Sequence, residues 1–134
     1  MRFLGALLVG LRGWGGSTVA GEVGVTDKTM LIGMTAPFSG SSGPYGQDMR
    51  TVIQAYFRQV NEAGGINGRK LELRALDDGY ETDKAVANTR TLISADRVFA
   101  LLASYGSSPT TAAMNEVFGV AKVPLVGTIS GADS

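Results

Sequence analysis

A repeated change of period constrains this chain more than any other feature. Short runs of continuous apolar residues alternate with longer segments in which apolar residues recur every three to four positions. Met30-Leu31-Ile32-Gly33-Met34 is the first run. Its continuous rather than alternating apolarity fits a strand covered on both faces. Residues 36–46 follow as a loop, where two prolines and three glycines argue against regular structure. From Gln47 the period is helical, with Met49, Val52, Ile53, Tyr56 and Val60 on one face and Gln47, Asp48, Arg50, Gln54 and Arg58 on the other. Gly64-Gly65 closes this helix, Asn67-Gly68 supplies a tight turn, and residues 70–76 alternate as a strand that Asp77-Asp78-Gly79 stops. A second helix is predicted over 82–94, with Val86, Thr89, Leu92 and Ile93 inward, before a strand over 98–103. A third helix starts at Pro109, with Ala113, Met114, Val117, Phe118 and Ala121 inward, and residues 123–127 form a fourth short strand.

The order β-α-β-α-β-α-β with short connections predicts an α/β fold: a three-layer, Rossmann-like sandwich with a mostly parallel sheet and right-handed crossovers. In such sheets a ligand sits beyond the carboxyl ends of the strands. Four segments fall at that edge: residues 37–46, 77–81, 104–108 and 128–133. The third is the most informative. Ser104-Tyr105-Gly106-Ser107-Ser108 ends a strand, and Pro109 suits the first helical position, which makes Ser108 the expected N-cap. The hydroxyl of Ser107 and the leading backbone N–H groups are then left for an anion, above all a small carboxylate.

Composition removes whole classes of chemistry. The 134 residues contain neither histidine nor cysteine. That excludes cysteine nucleophiles, imidazole or thiolate metal centres, and a Ser-His-Asp arrangement within the chain. Ser107 therefore has no evident base to activate it as a nucleophile. The 12 basic and 12 acidic side chains balance, and no basic run recommends a nucleic-acid partner. A nucleotide-dependent enzyme of Rossmann type is disfavoured because the first loop reads Gly40-x-x-Gly43-x-x-Gly46, with Pro44 where a phosphate-binding helix should open. Asp77 and Asp78 are read as a solvated strand end whose side chains diverge. Residues 1–20 carry Arg2, an apolar run from Phe3 to Leu11 and Thr18-Val19-Ala20, the pattern of an export signal cleaved near Ala20.

Three local patterns go further. Ala36-Pro37-Phe38-Ser39-Gly40 with Tyr45-Gly46, the corner Val60-Asn61-Glu62-Ala63-Gly64-Gly65-Ile66-Asn67-Gly68-Arg69, and Leu76-Asp77-Asp78 followed by Lys84-Ala85-Val86 stand in order along the chain. Together with the Ser107-Ser108 turn and Val123-Pro124-Leu125, they resemble type I periplasmic binding proteins of the branched-chain amino acid (Leu/Ile/Val) class, the substrate-binding proteins of ABC transporters. The resemblance implies a non-enzymatic, cofactor-free, two-lobed clamp, monomeric and periplasmic, that delivers a small carboxylate-bearing solute such as an amino acid to a membrane permease. A ligand-sensing receptor of the same fold, for an amide, urea or an aromatic acid, is the alternative. Complete members are much longer, so the resemblance further implies a signal over 1–20, a linker over 21–28, and over 29–134 the first part of an N-terminal lobe, truncated. By position in the motifs, Ser107 would hold the carboxylate with help from the neighbouring N–H groups of Gly106 and Ser108, and Tyr80 and Tyr105, on cleft-edge loops, would suit an aromatic or larger ligand. Ile129 and Gly131 would offer backbone groups, and Tyr45 would line the pocket. Amino-acid binders often carry threonine where this chain has Gly131. Some members bridge the second and third loops by a disulfide, and the corresponding positions here are Tyr80 and Gly106.

Overall fold

The computed structural model describes residues 21–117 and 121–131. The expected export signal, Phe118 of the third helix, and residues 132–133 of the last edge loop lie outside the described residues. The elements follow the predicted order: β1 Thr29–Ala36, α1 Gly43–Glu62, β2 Lys70–Asp77, α2 Thr82–Arg90, β3 Ala100–Leu102, α3 Ser107–Glu116 and β4 Leu125–Val126. After Arg90, α2 widens into a π-helical turn, Thr91–Ala95, in which the Asp96 N–H donates to the Thr91 carbonyl at 2.9 Å.

The sheet order is β2-β1-β3-β4, and every neighbouring pair is parallel. β1 pairs with β2 along its full length, from Thr29↔Lys70 to Ala36↔Asp77, and meets β3 at Ile32↔Ala100 and Gly33↔Leu101. The step from β1 to β2 runs opposite to the step from β2 to β3. Right-handed crossovers therefore place α1 on one face and α2 with α3 on the other, which gives the three layers. Alternating β1 residues feed the two sides. Met30 and Ile32 pack with Phe57, Leu71 and Ala100 on the α1 side, and Leu31 packs with Leu92, Val98, Leu101 and Val117 on the other. A third cluster, Met34, Ala36 and Ala103, fills the carboxyl end of the sheet directly beneath the edge loops.

Residues 21–28, expected only as a linker, carry local structure: Val25 pairs antiparallel with Met30, and the Thr26 hydroxyl accepts the N–H groups of Lys28 and Thr29. The corner motif has a clear cause. Asn61 uses both ends of its amide on Leu71, accepting that N–H at 2.7 Å and donating to that carbonyl at 2.9 Å, which fixes the end of α1 against β2. Between them, Ile66 and Arg69 exchange backbone hydrogen bonds around Asn67-Gly68, both at positive φ, which is the tight turn expected there.

Several expectations need correction. α1 starts at Gly43 rather than Gln47, because Pro44 serves its first turn instead of breaking it. Its inward face is Ile53, Phe57 and Val60, with Met49 at the rim; Val52 and Tyr56, expected inward, are 68% and 61% exposed. The apolar residues of α1 form two overlapping stripes, and β1 and β2 cover only the one centred on Phe57. The other faces sideways, where Met49, Val52 and Ile53 border a shallow apolar recess with Ala103 and Ile129. On α3 the buried residues are Pro109, Thr110 and Ala113, followed by buried Val117 at its end, while Met114, expected inward, is exposed.

Candidate functional site

The carboxyl edge is organised by two adjacent carboxylates that do different work. Asp77 turns outward and accepts the N–H groups of Phe38 at 2.7 Å and Gly79 at 2.9 Å, tying the first loop to the second. What burial it has works to raise its pKa, but hydrogen bonds from the Ser39 hydroxyl and the N–H groups of Phe38, Gly79 and Ser39 outweigh that and lower it. Asp78 turns inward and is 1% exposed, so the expectation of a solvated strand end holds for Asp77 alone. The Asp78 carboxylate accepts the Thr35 hydroxyl at 2.9 Å and the Tyr80 N–H at 2.9 Å. Burial raises its pKa, helped by the negative charge of Asp77 and opposed by those two hydrogen bonds. Asn88 reaches back from α2 to the Asp77 carbonyl at 3.0 Å and the Thr35 hydroxyl at 3.3 Å. Sequence reading missed this network. Its signal was present in Asp-Asp-Gly, since aspartates that bond the backbone two residues on are a turn-forming type.

The third and fourth loops are joined as a continuation of the sheet. Gly106 N–H donates to the Ile129 carbonyl, and Ile129 N–H donates to the Ser104 carbonyl, both at 2.9 Å, so Tyr105 and Ile129 form a parallel bridge beyond β3 and β4. This corrects the role expected of Ile129: its N–H is committed to the fold, and its side chain lies in the apolar recess beside Met49 and Val52.

α3 begins at Ser107, with Gly106 at φ +95° as the N-cap residue, so Ser108 is not the cap that the sequence suggested. Pro109 is the third helical residue rather than the first. It costs nothing there, because that N–H also has no intrahelical partner. Ser107 and Ser108 thus lead a helix whose first N–H groups point out of the edge. The Ser130 hydroxyl donates to the Ser107 hydroxyl at 3.0 Å, so two serines from two loops meet at this helix end. Ser130 was not among the site residues expected from the sequence. Among the described residues, no atom beyond its chain neighbours lies within 4 Å of where a Cβ on Gly131 would project.

Tyrosines complete the edge. Tyr45, in the first turn of α1, stacks on Tyr105 with ring centroids 5.8 Å apart and 11° between the planes. Tyr80 meets Tyr105 edge-on at 5.9 Å and 62°. Tyr80 also lies on Gly106: a Cβ there would come within 2.5 Å of its ring. Tyr45, Tyr105, Gly106, Ser107 and Ser108 therefore share one edge as expected, with Ser130 added. Among the described residues, no cluster of acidic side chains is suited to a metal ion.

A sequence profile of the family described as "Periplasmic binding protein" matches residues 29–134. An amino acid binding protein of Pseudomonas aeruginosa is 32% identical over 94 residues, covering 70% of this chain and 25% of that protein. Leu/Ile/Val-binding protein homolog 1 of Brucella abortus is 28% identical over 108 residues, 81% of this chain and 27% of its own length. Among solved structures, the branched-chain amino acid transporter substrate-binding protein LivJ from Streptococcus pneumoniae, in complex with isoleucine, superposes with a TM-score of 0.75 at 31% identity. That match covers 80% of this chain and 30% of LivJ. The chain thus spans about a quarter of the length of the curated relatives named here.

Proposed function

Because this chain belongs to the periplasmic binding protein family, we propose that its carboxyl edge captures a small carboxylate-bearing solute, an amino acid or a related compound, for an ABC-type uptake system. The observation that carries this reading is the meeting of Ser107 and Ser130 at the N-terminus of α3. Ser130 donates to Ser107, so the Ser107 proton is left to donate outward, alongside the N–H groups of Ser107 and Ser108. These donors and the helix end favour a carboxylate without burying a counter-charge. The nearby acids are engaged elsewhere, since the Asp77 carboxylate is occupied by the N–H groups of Phe38 and Gly79 and Asp78 is turned into the fold. LivJ is described in complex with isoleucine, which agrees with a solute of this size. Export to the periplasm, delivery to a membrane permease and the absence of catalysis are part of the same proposal.

Backbone amide NMR of the chain tests it. Titration with small carboxylates should move the amide signals of Gly106, Ser107 and Ser108, with dissociation constants near about 1 mM. Ser107→Ala should weaken that response by at least about 1.5 kcal/mol, roughly tenfold, as expected for a hydrogen bond to a charged group. Carboxylates that leave those amides unmoved, or an unchanged affinity in Ser107→Ala, would remove the assignment.

A further inference from the structure

A carboxylate is one end of a solute, and the rings beside Ser107 bear on the other. Tyr45, Tyr80 and Tyr105 come from three different loops, yet they touch in a row, Tyr45 on Tyr105 and Tyr105 on Tyr80. They are not core residues: Tyr45 is 60% and Tyr80 45% exposed. Nor are they held by their hydroxyls. Among the described residues, none of the three phenols makes a hydrogen bond within the chain; the rings are held by one another, by Tyr105 packing against Met34, Ala36 and Ala103, and by Tyr80 resting on Gly106. An exposed array of rings fixed by one another loses little freedom when a ligand arrives.

We propose that the solute carries a flat aromatic ring on its carboxylate, and that this ring extends the Tyr45–Tyr105 stack. The inference rests on the carboxylate reading above. Its geometric basis is the 11° between the two rings. Nearly parallel rings in contact offer a flat face on which a third ring continues the offset stack. The one wide angle in the row, 62° between Tyr80 and Tyr105, is closed by their contact at 5.9 Å, so the row encloses no cation. A branched aliphatic chain would gain only area from the same wall. Tyr105 is separated from Ser107 by Gly106 alone, so the wall and the proposed carboxylate site belong to one short loop.

The test is a matched pair of ligands on the unaltered chain, followed by amide NMR. Benzoate and cyclohexanecarboxylate share the carboxylate and differ in the ring. Benzoate should bind about three- to tenfold more tightly, the range of a stacking contact, and its own protons should shift upfield from the tyrosine ring currents. Tyr45→Leu, at an exposed position, should bring the affinity ratio towards one. Equal or tighter binding of cyclohexanecarboxylate, or tighter binding of glycine betaine than of benzoate, would overturn the aromatic assignment and leave the carboxylate site standing. If neither acid moves the Ser107 and Ser108 amides, the carboxylate reading falls and takes this one with it.

Discussion

At the scale of single residues, the two aspartates at the end of β2 make opposite predictions from adjacent positions. Asp77 has its pKa lowered below the ordinary 3.8. Its contribution to stability is present above that value and is lost as pH falls through the lowered one. Asp78 has its pKa raised above 3.8, so the fold favours its protonated form. Its contribution is present below 3.8 and is lost as pH rises towards the raised value. Asn is close to isosteric with each and cannot titrate. The difference in melting temperature between Asp78→Asn and the wild type should therefore shift in the variant's favour as pH rises above about 4. For Asp77→Asn it should shift against the variant as pH rises towards about 4. Parallel slopes in the two thermal-melt series would contradict the division of labour described here. Asn61 makes a simpler prediction: Asn61→Ala leaves the N–H and carbonyl of Leu71 without their amide partner, at a cost of about 2 kcal/mol or more in urea unfolding.

At the scale of elements, loops and helices meet where a side chain would not fit. Gly46 lies inside α1, where alanine would be favoured by about 1 kcal/mol on helix propensity alone. A Cβ there, however, would fall 1.8 Å from the Pro37 carbonyl oxygen, and that is backbone which cannot swing aside. The clash should win, so that Gly46→Ala destabilises by about 3 kcal/mol and drives α1 off the first loop. Gly106→Ala faces both a positive φ of +95° and the Tyr80 ring, and should cost about 1–3 kcal/mol. The ring contact is only half of that penalty. The double variant with Tyr80→Ala should therefore lose less than the sum of the single losses, a coupling that denaturant melts can measure. The contact joins the second and third loops by packing, at the two positions that the family resemblance matched to a disulfide. Element order and strand directions were legible because the change from continuous apolar runs to a 3.6-residue period survives any tertiary detail. The inward face of α1 was not, because a helix with two apolar stripes does not say which one the sheet will cover. The start of α3 was misread for a related reason: proline is tolerated at any of the first helical positions, so Pro109 located the helix end without fixing its first residue.

At the scale of the whole molecule, what was legible of the site was its place and what was hidden was its openness. The alternation of elements sends the Gly- and Ser-rich segments to one edge, and Ser107 was singled out there by its strand-to-helix turn and by the family resemblance. The local turn bonds of Asp77 and Asp78 were legible in Asp-Asp-Gly, but the Thr35 partner of Asp78, the place of Ser130 and the ring contacts depend on segments far apart in sequence. Those contacts build one wall rather than an enclosure. Tyr45, Ile129 and Ser130 are all exposed, and the recess beside them is open and shallow. Small-molecule sites that bind tightly bury about 70–90% of the ligand surface, whereas a single wall covers far less. The 134-residue chain should therefore bind its solute in the millimolar range, and calorimetry should detect nothing tighter than about 100 μM, near −5.5 kcal/mol. Micromolar binding by this chain would mean that a second wall forms within it, and it would move the site away from the edge that Ser107 and Tyr105 define.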